Sequence, residues 1–324
     1  MSTGASPMPT AAKQSTRVEY GKALVQLGHE NPDIVVLDAD LSGSTHTHLF
    51  ARAFKERFFN MGIAEQDLMG TAAGLALGGK IPFASTFAIF AAGRAWEQVR
   101  QTIAYGNLNV KIVASHGGVT VGEDGGSHQA VEDLALMRVL PNMVVLVPAD
   151  GPETRAMIRW AAEYVGPVYI RTGRMPFPVL YEEDHRFVLG QGSILQEGED
   201  VTLAGIGLLL HHCLEAAGQL KAEGISARVL NLSSLKPLDW ELVVDSARRT
   251  GALVSAEEHL STGALGSAIS EVLTGHYPVP LERIGLRDVF GTSGKPADLL
   301  KHFGLTPEDI KKAALRAIAR KTRR

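Results

Sequence analysis

Ile34-Val35-Val36-Leu37-Asp38-Ala39-Asp40 decides the fold. Four apolar residues in an unbroken run, three of them β-branched, read as a short strand buried on both faces, as in a parallel sheet. The run ends in two acids, and in open α/β sheets ligands bind beyond the carboxyl ends of the strands. Upstream, residues 17–30 carry Val18, Ala23, Leu24 and Leu27 at helical spacing. Downstream, further apolar runs fall at 111–114, 143–147 and 168–170, with helical stretches between them. Asp150-Gly151-Pro152-Glu153 combines an N-cap, an early proline and an early carboxylate, which together start a helix. This alternation predicts an α/β domain with a mainly parallel sheet.

Residues 174–192 break the pattern. Arg174-Met175-Pro176-Phe177-Pro178, followed by Glu182-Glu183-Asp184, reads as a linker. Beyond Gly192 the alternation resumes, with strand-like runs at 201–204, 227–230 and 252–254 and helix-like stretches at 208–223, 238–249, 264–273 and 307–319. The expected organisation is a loose arm at 1–14, a first α/β domain at 15–178, a linker at 179–191 and a second, smaller α/β domain at 192–324.

The composition is that of a soluble globular protein. The 324 residues are 45% hydrophobic and 21% charged, with a net charge of −3. Lysines and arginines are scattered, which argues against a nucleic acid or a membrane surface as partner. Cys213 is the single cysteine, so there is neither a disulfide framework nor a thiolate metal site. No apolar run approaches a membrane span, and residues 1–15 lack the apolar core of a secretory signal. The expected compartment is the cytoplasm.

Three stretches carry chemistry besides the acidic strand tip. Asn60-Met61-Gly62-Ile63-Ala64-Glu65-Gln66 sets one carboxylate at the start of a small, apolar segment, 67–79. Glycine and alanine there predict a helix packed closely against another backbone. Most glutamates at a helix N-terminus only complement the dipole, but a carboxyl group near a dry interface can also exchange a proton with a ring nitrogen. In Ser85-Thr86-Phe87-Ala88-Ile89-Phe90 the two phenylalanines are three apart, on one helical face. They either pack in the core or offer a stacking surface to a flat heterocycle. The third stretch, residues 115–129, follows a predicted strand and combines five glycines with His116, Glu123, Asp124 and His128. Glycines let the backbone crowd a ligand, and histidines bind phosphate or move protons near neutral pH. A metal site there would need a third imidazole or thiolate. Arg171 and Arg174, after the last strand of the first domain, are suited to a phosphate, because the guanidinium fork donates two bonds at once. Either could equally form a surface ion pair.

Gly-Ile-Ala-Glu-Gln at 62–66, Ser-Thr-Phe at 85–87, Gly-Glu-Asp-Gly-x-x-His-Gln at 122–129 and Leu-Pro-Asn-Met at 140–143 occur in one order. Together they resemble the C-terminal half of a transketolase, its pyrimidine-binding domain followed by its C-terminal domain. The resemblance is specific from about 17 to 174 and rests on the element pattern beyond. It implies thiamine diphosphate chemistry, in which a two-carbon ketol unit passes between sugar phosphates. By the same resemblance Glu65 bonds N1′ of the aminopyrimidine and controls its tautomer. Phe87 and Phe90 match the aromatic wall around that ring, Ile63 an apolar contact to the cofactor, and Asp40 an acid near the thiazolium. His116 and Arg174 fall on the substrate-phosphate site, with Arg17 and Ser44 as further phosphate ligands. Asp124 matches a reader of sugar hydroxyls, and His128 a proton relay near the donor carbonyl. Glu65, His128 and His116 are thus the implied catalytic residues.

The family often has a tyrosine three residues after the second phenylalanine; here that place is Gly93. In the family Mg²⁺ is held through a Gly-Asp-Gly motif in a preceding domain, and no such motif occurs in this sequence. The resemblance therefore implies one subunit of a split transketolase, with no metal ligands of its own. An N-terminal-type partner would supply the diphosphate and Mg²⁺ site, in a dimer or α2β2 assembly. The alternatives left open are a deoxyxylulose-phosphate synthase-like enzyme, a 2-oxo acid dehydrogenase β subunit and a non-catalytic scaffold subunit.

Overall fold

The structure, a computed structural model, describes residues 10–321. The first sheet has seven strands in the spatial order Ser234–Lys236, Val144–Leu146, Val168–Arg171, Lys111–Ser115, Ile81–Phe87, Ile34–Asp38 and Phe58–Asn60. All neighbours are parallel except the antiparallel pair made by Ser234–Lys236. All five residues of Ile34–Asp38 are buried. Ile34 and Val36 face one layer, with Leu24 and Leu27 of helix Thr16–Glu30 and Met157 and Ile158 of helix Gly151–Glu163. Val35 and Leu37 face the other, with Leu68, Met69 and Ala72 of helix Glu65–Leu77. A strand covered on both faces has no polar side to show, which is why its sequence reads as one apolar run. Asp150 caps Gly151–Glu163 by accepting the Glu153 N–H at 2.9 Å, as its sequence predicts.

The second sheet runs Leu281–Leu286, Leu253–Leu260, Val201–Gly205, Ala227–Asn231 and Ser193–Gln196, parallel except for the last. The chain is therefore two α/β domains with mainly parallel sheets. Among the described residues no helix is long and apolar enough to cross a membrane.

Three expectations change. The stretch 1–14 is not wholly a loose arm. Thr10–Gln14 is a strand, antiparallel to Phe177–Val179 at the end of the first domain; the rest of the stretch lies outside the described residues. The two domains are also not separate in their sheets. Ser234–Lys236, inside 192–324, completes the edge of the first sheet by pairing with Val144–Leu146, and one apolar cluster runs from Leu37 and Ile112 to Leu230 and Leu265. Finally, the small-residue helix meets the first sheet through Leu68, Met69, Ala72 and Ala73. A Cβ placed on Gly70 or Gly74 would meet nothing within 4 Å. Among the described residues, the close backbone contact expected of Gly70 and Gly74 is not made.

Candidate functional site

The carboxyl end of the first sheet carries the candidate site. Strand Ile81–Phe87 delivers Phe87 as its last residue, and a wide π-type turn, Phe90–Arg94, begins at Phe90. The two phenylalanines thus do not share an ordinary helical face. The sharp exit from the strand nevertheless stacks their rings, 5.9 Å apart and 12° from parallel. His116, the first residue beyond Lys111–Ser115, stacks on Phe87 at 3.8 Å. His128 meets both phenyl rings edge-on, at 6.3 Å and 5.5 Å. Glu65 opens its helix and is 2% exposed. Both its carboxylate oxygens lie 3.0 Å from Nη1 of Arg94, whose guanidinium sits 4.6 Å from the centre of Phe90.

A second group of residues adjoins this one through His116. Arg17 donates from Nη1 to the Ser44 carbonyl at 2.6 Å. Arg174 donates to the Val121 carbonyl and stands 3.6 Å from Asp124 and 3.9 Å from Glu123. Burial pushes the His116 imidazole down to about 3, helped by the positive fields of Arg17, Arg174, His128 and His46. Arg17 is lowered by burial and by Arg174. His46 is lowered by burial, Arg17 and His48. The two guanidiniums lie near enough to repel each other. An anion placed among them would relieve that repulsion.

The structure therefore gathers Glu65, Phe87, Phe90, His116 and His128 in one cluster and Arg17, Ser44, His116, Asp124 and Arg174 in its neighbour. Asp40 and Ile63 stand at the rim. Asp40 is exposed, in a left-handed conformation (φ 62°), and accepts a bond from Asn60 at 3.1 Å. Ile63 is 77% exposed, unusual for an isoleucine beside a buried carboxylate.

Arg171 is not a candidate ligand. It is 5% exposed, 3.2 Å from Asp133, and donates to the carbonyls of Ala130 and Glu258. It ties the two domains together. No spacing rule separates it from Arg174, because Arg171 ends the strand that Arg174 follows; only burial does.

Four contributors are given no role of their own by the sequence. Arg94 covers Glu65. His46 belongs to the cationic group. Asp38, buried at the tip of its strand, accepts from Thr45 at 2.7 Å, Thr47 at 2.8 Å and Leu41 N–H at 2.6 Å, and so shapes the loop that presents Ser44. Glu258, from the second domain, accepts the Thr120 N–H within the loop after His116. The alternation of Thr45 and Thr47 beyond Asp38 was a signal for the third; the other three depend on contacts distant in sequence or on side-chain direction. Among the described residues, no group of three or more His, Cys, Asp or Glu is placed to hold a metal ion.

Residues 12–178 match the transketolase pyrimidine-binding domain family and residues 190–310 the transketolase C-terminal domain family. The chain is 50% identical over 299 residues to the putative transketolase C-terminal section of Methanocaldococcus jannaschii, covering 91% of this chain and 94% of that protein. It is 42% identical over 305 residues to the 6-deoxy-6-sulfo-D-fructose transketolase subunit of Clostridium sp. (strain MSTE9), covering 94% and 95%. With an apulose-4-phosphate transketolase subunit of Phocaeicola vulgatus it shares 38% over 300 residues, covering 92% and 96%. In structure it is similar to a split-gene transketolase solved as an inactive β4 tetramer, with a TM-score of 0.89 and 57% identity, covering 96% of this chain and all of that one.

Proposed function

The chain belongs to the transketolase family, and from that premise we propose that it is the pyrimidine-domain subunit of a two-component, thiamine diphosphate-dependent transketolase. It moves a two-carbon ketol unit between sugars that end in an anionic group. The observation that carries this reading is one continuous site. A buried carboxylate and a stacked aromatic pair adjoin, through His116, a group of arginines and histidines.

The residues present fit the aminopyrimidine end of the cofactor. The Arg94 guanidinium reaches both Glu65 and the Phe90 ring, so a flat ring with a basic nitrogen in that place can bond the one and contact the other. When bound, thiamine diphosphate supplies the nucleophilic carbon that carries the transferred unit. Glu65 shares a proton with ring nitrogen N1′ and fixes the ring's tautomer. The Phe87–Phe90 stack orients the ring and excludes water. His128, edge-on to that stack, is placed to move a proton near the donor carbonyl. His116, neutral at physiological pH, offers a hydrogen bond rather than a charge, while Arg17 and Arg174 supply the positive charge for the sugar's anionic end. Asp124 binds hydroxyls. Asp40 and Ile63 complete the rim where the cofactor's thiazolium end would leave this chain.

The split organisation is supported by the relatives, since the chain covers nearly all of two proteins named as transketolase subunits and of one named as a C-terminal section. Two of those names specify a sulfo or a phosphate group, in keeping with the charge of Arg17 and Arg174. An N-terminal-type partner would hold Mg²⁺ and the diphosphate, in a dimer or α2β2 assembly in the cytoplasm. The test is co-purification with such a partner and a two-carbon transfer assay, using hydroxypyruvate or pyruvate as donor. Transfer from hydroxypyruvate to an anionic aldose supports the proposal, and turnover of pyruvate alone overturns it in favour of another thiamine enzyme.

A further inference from the structure

Arg94 stands where the proposed reading needs an opening. Among the described residues it is the sole hydrogen-bond donor to the Glu65 carboxylate, with Nη1 3.0 Å from each oxygen. The Glu65 side chain is 1% exposed and that of Arg94 50%, so the guanidinium roofs the acid. The same guanidinium lies 4.6 Å from the centre of the Phe90 ring. A flat, nitrogen-bearing group that bonds Glu65 and contacts Phe90 satisfies the two partners that an aminopyrimidine would use. The backbone supports this position. The wide turn Phe90–Arg94 closes with Ala95 N–H bonding to Phe90 carbonyl at 3.1 Å, and Gln66 bonds the Arg94 carbonyl at 3.4 Å. π-type turns are often found at functional positions. Beside Arg94, Gly93 leaves room. A Cβ there would meet only Ile89 Cδ1, at 3.9 Å.

We propose that Arg94 is a displaceable placeholder. In the free chain its guanidinium occupies the half-site of the aminopyrimidine, and it must swing aside, with the space at Gly93 available, before Glu65 can bond a ring nitrogen. The inference rests on the aminopyrimidine reading of this site. It gives Arg94 a positioning role, because the residue acts through Glu65. A site filled by its own side chain binds ligand only from the fraction of molecules in which that side chain has left.

The probe is 4-amino-5-hydroxymethyl-2-methylpyrimidine, the pyrimidine portion of thiamine, titrated by NMR into the full chain alone. Arg94→Ala should bind it about 10-fold tighter than the unmodified chain, since the competing conformer is gone. The Glu65→Gln/Arg94→Ala double variant should lose that gain. Circular dichroism checks the fold, and Arg94→Gln serves if Arg94→Ala is unstable. Equal or weaker binding by both Arg94 variants, with binding still dependent on Glu65, overturns the placeholder and leaves the aminopyrimidine reading standing. Absence of Glu65-dependent binding in every variant overturns both.

Discussion

At the scale of the residue, Glu65 and His116 play different parts. Glu65→Gln keeps the shape of the side chain but cannot share a proton as a carboxyl group does. Turnover of the assembled enzyme should fall about 10²–10⁴-fold, the range for removing a positioned proton-transfer group. The far-ultraviolet circular dichroism should not change. His116 is held down to about 3 by burial and by the cations around it. Its ring resonances should therefore not titrate between pH 5 and 8 in the free chain. The linkage has a definite sign. The unfolded chain takes up the His116 proton near the ordinary histidine value and the folded chain does not, so this contribution to stability is complete above pH 6.5 and is lost progressively as pH falls toward about 3. His116→Asn should flatten that part of the pH–stability curve. Arg174 stands 3.6 Å from Asp124. Arg174→Ala should raise KM for a phosphorylated sugar by the equivalent of about 1.5–3 kcal/mol, the worth of one charge-assisted bond. It should leave KM for hydroxypyruvate nearly unchanged, and equal losses on both donors would mean that Arg174 does not read the anionic end.

At the scale of the element, the segment 117–129 is held in place by the second domain. Glu258, buried with its carboxyl pushed up by burial and pulled back by Arg171, accepts the Thr120 N–H. Gln129 donates to the Thr292 carbonyl at 2.9 Å, and Ser293 to that of Glu123. This gives the second domain a task beyond assembly: it braces the loop between the two histidines of the site. Gly118 has φ 86°, and a Cβ there would run into the Glu258 carboxyl group. Glu258→Ala leaves buried donors unmet and should cost about 1–3 kcal/mol. The loss should appear in hydrogen–deuterium exchange as faster exchange across 117–129, while the strands of the first sheet keep their protection. Uniform acceleration over both domains would show instead a global loss of stability.

At the scale of the whole molecule, the two domains share a sheet edge, an apolar cluster and the hydrogen bond from Arg171 to the Glu258 carbonyl. They should unfold in one transition rather than two, which calorimetry would show. In the proposed reading this chain holds only the pyrimidine end of the cofactor, and Ile63 is 77% exposed. Calorimetry of the chain alone should show poor binding of thiamine diphosphate even with excess Mg²⁺. Tight binding should appear on adding a Gly-Asp-Gly-bearing partner of roughly 250–300 residues, a usual size for one or two domains. Tight, Mg²⁺-dependent binding by the chain alone would sink the two-component proposal.

The local pattern of the sequence determined the α/β alternation, the helix start at Asp150 and the parallel core. A strand covered on both faces must be apolar throughout, and a helix cap needs only its neighbours. Glu65, the two phenylalanines and the histidines were legible because they lie in short motifs. What depends on distant contacts was decided only by tertiary structure. Nothing near 234–236 shows that it closes the first sheet, since the partner strand, Val144–Leu146, is far away along the chain. The spacing of Arg171 and Arg174 does not say which one is locked in the fold; the burial of Arg171 against Asp133 and the Glu258 carbonyl, and the part-exposed place of Arg174 beside Asp124, do. Nor does the sequence near Arg94 show that its guanidinium covers Glu65, because a flexible side chain takes its place from a partner brought in by the fold.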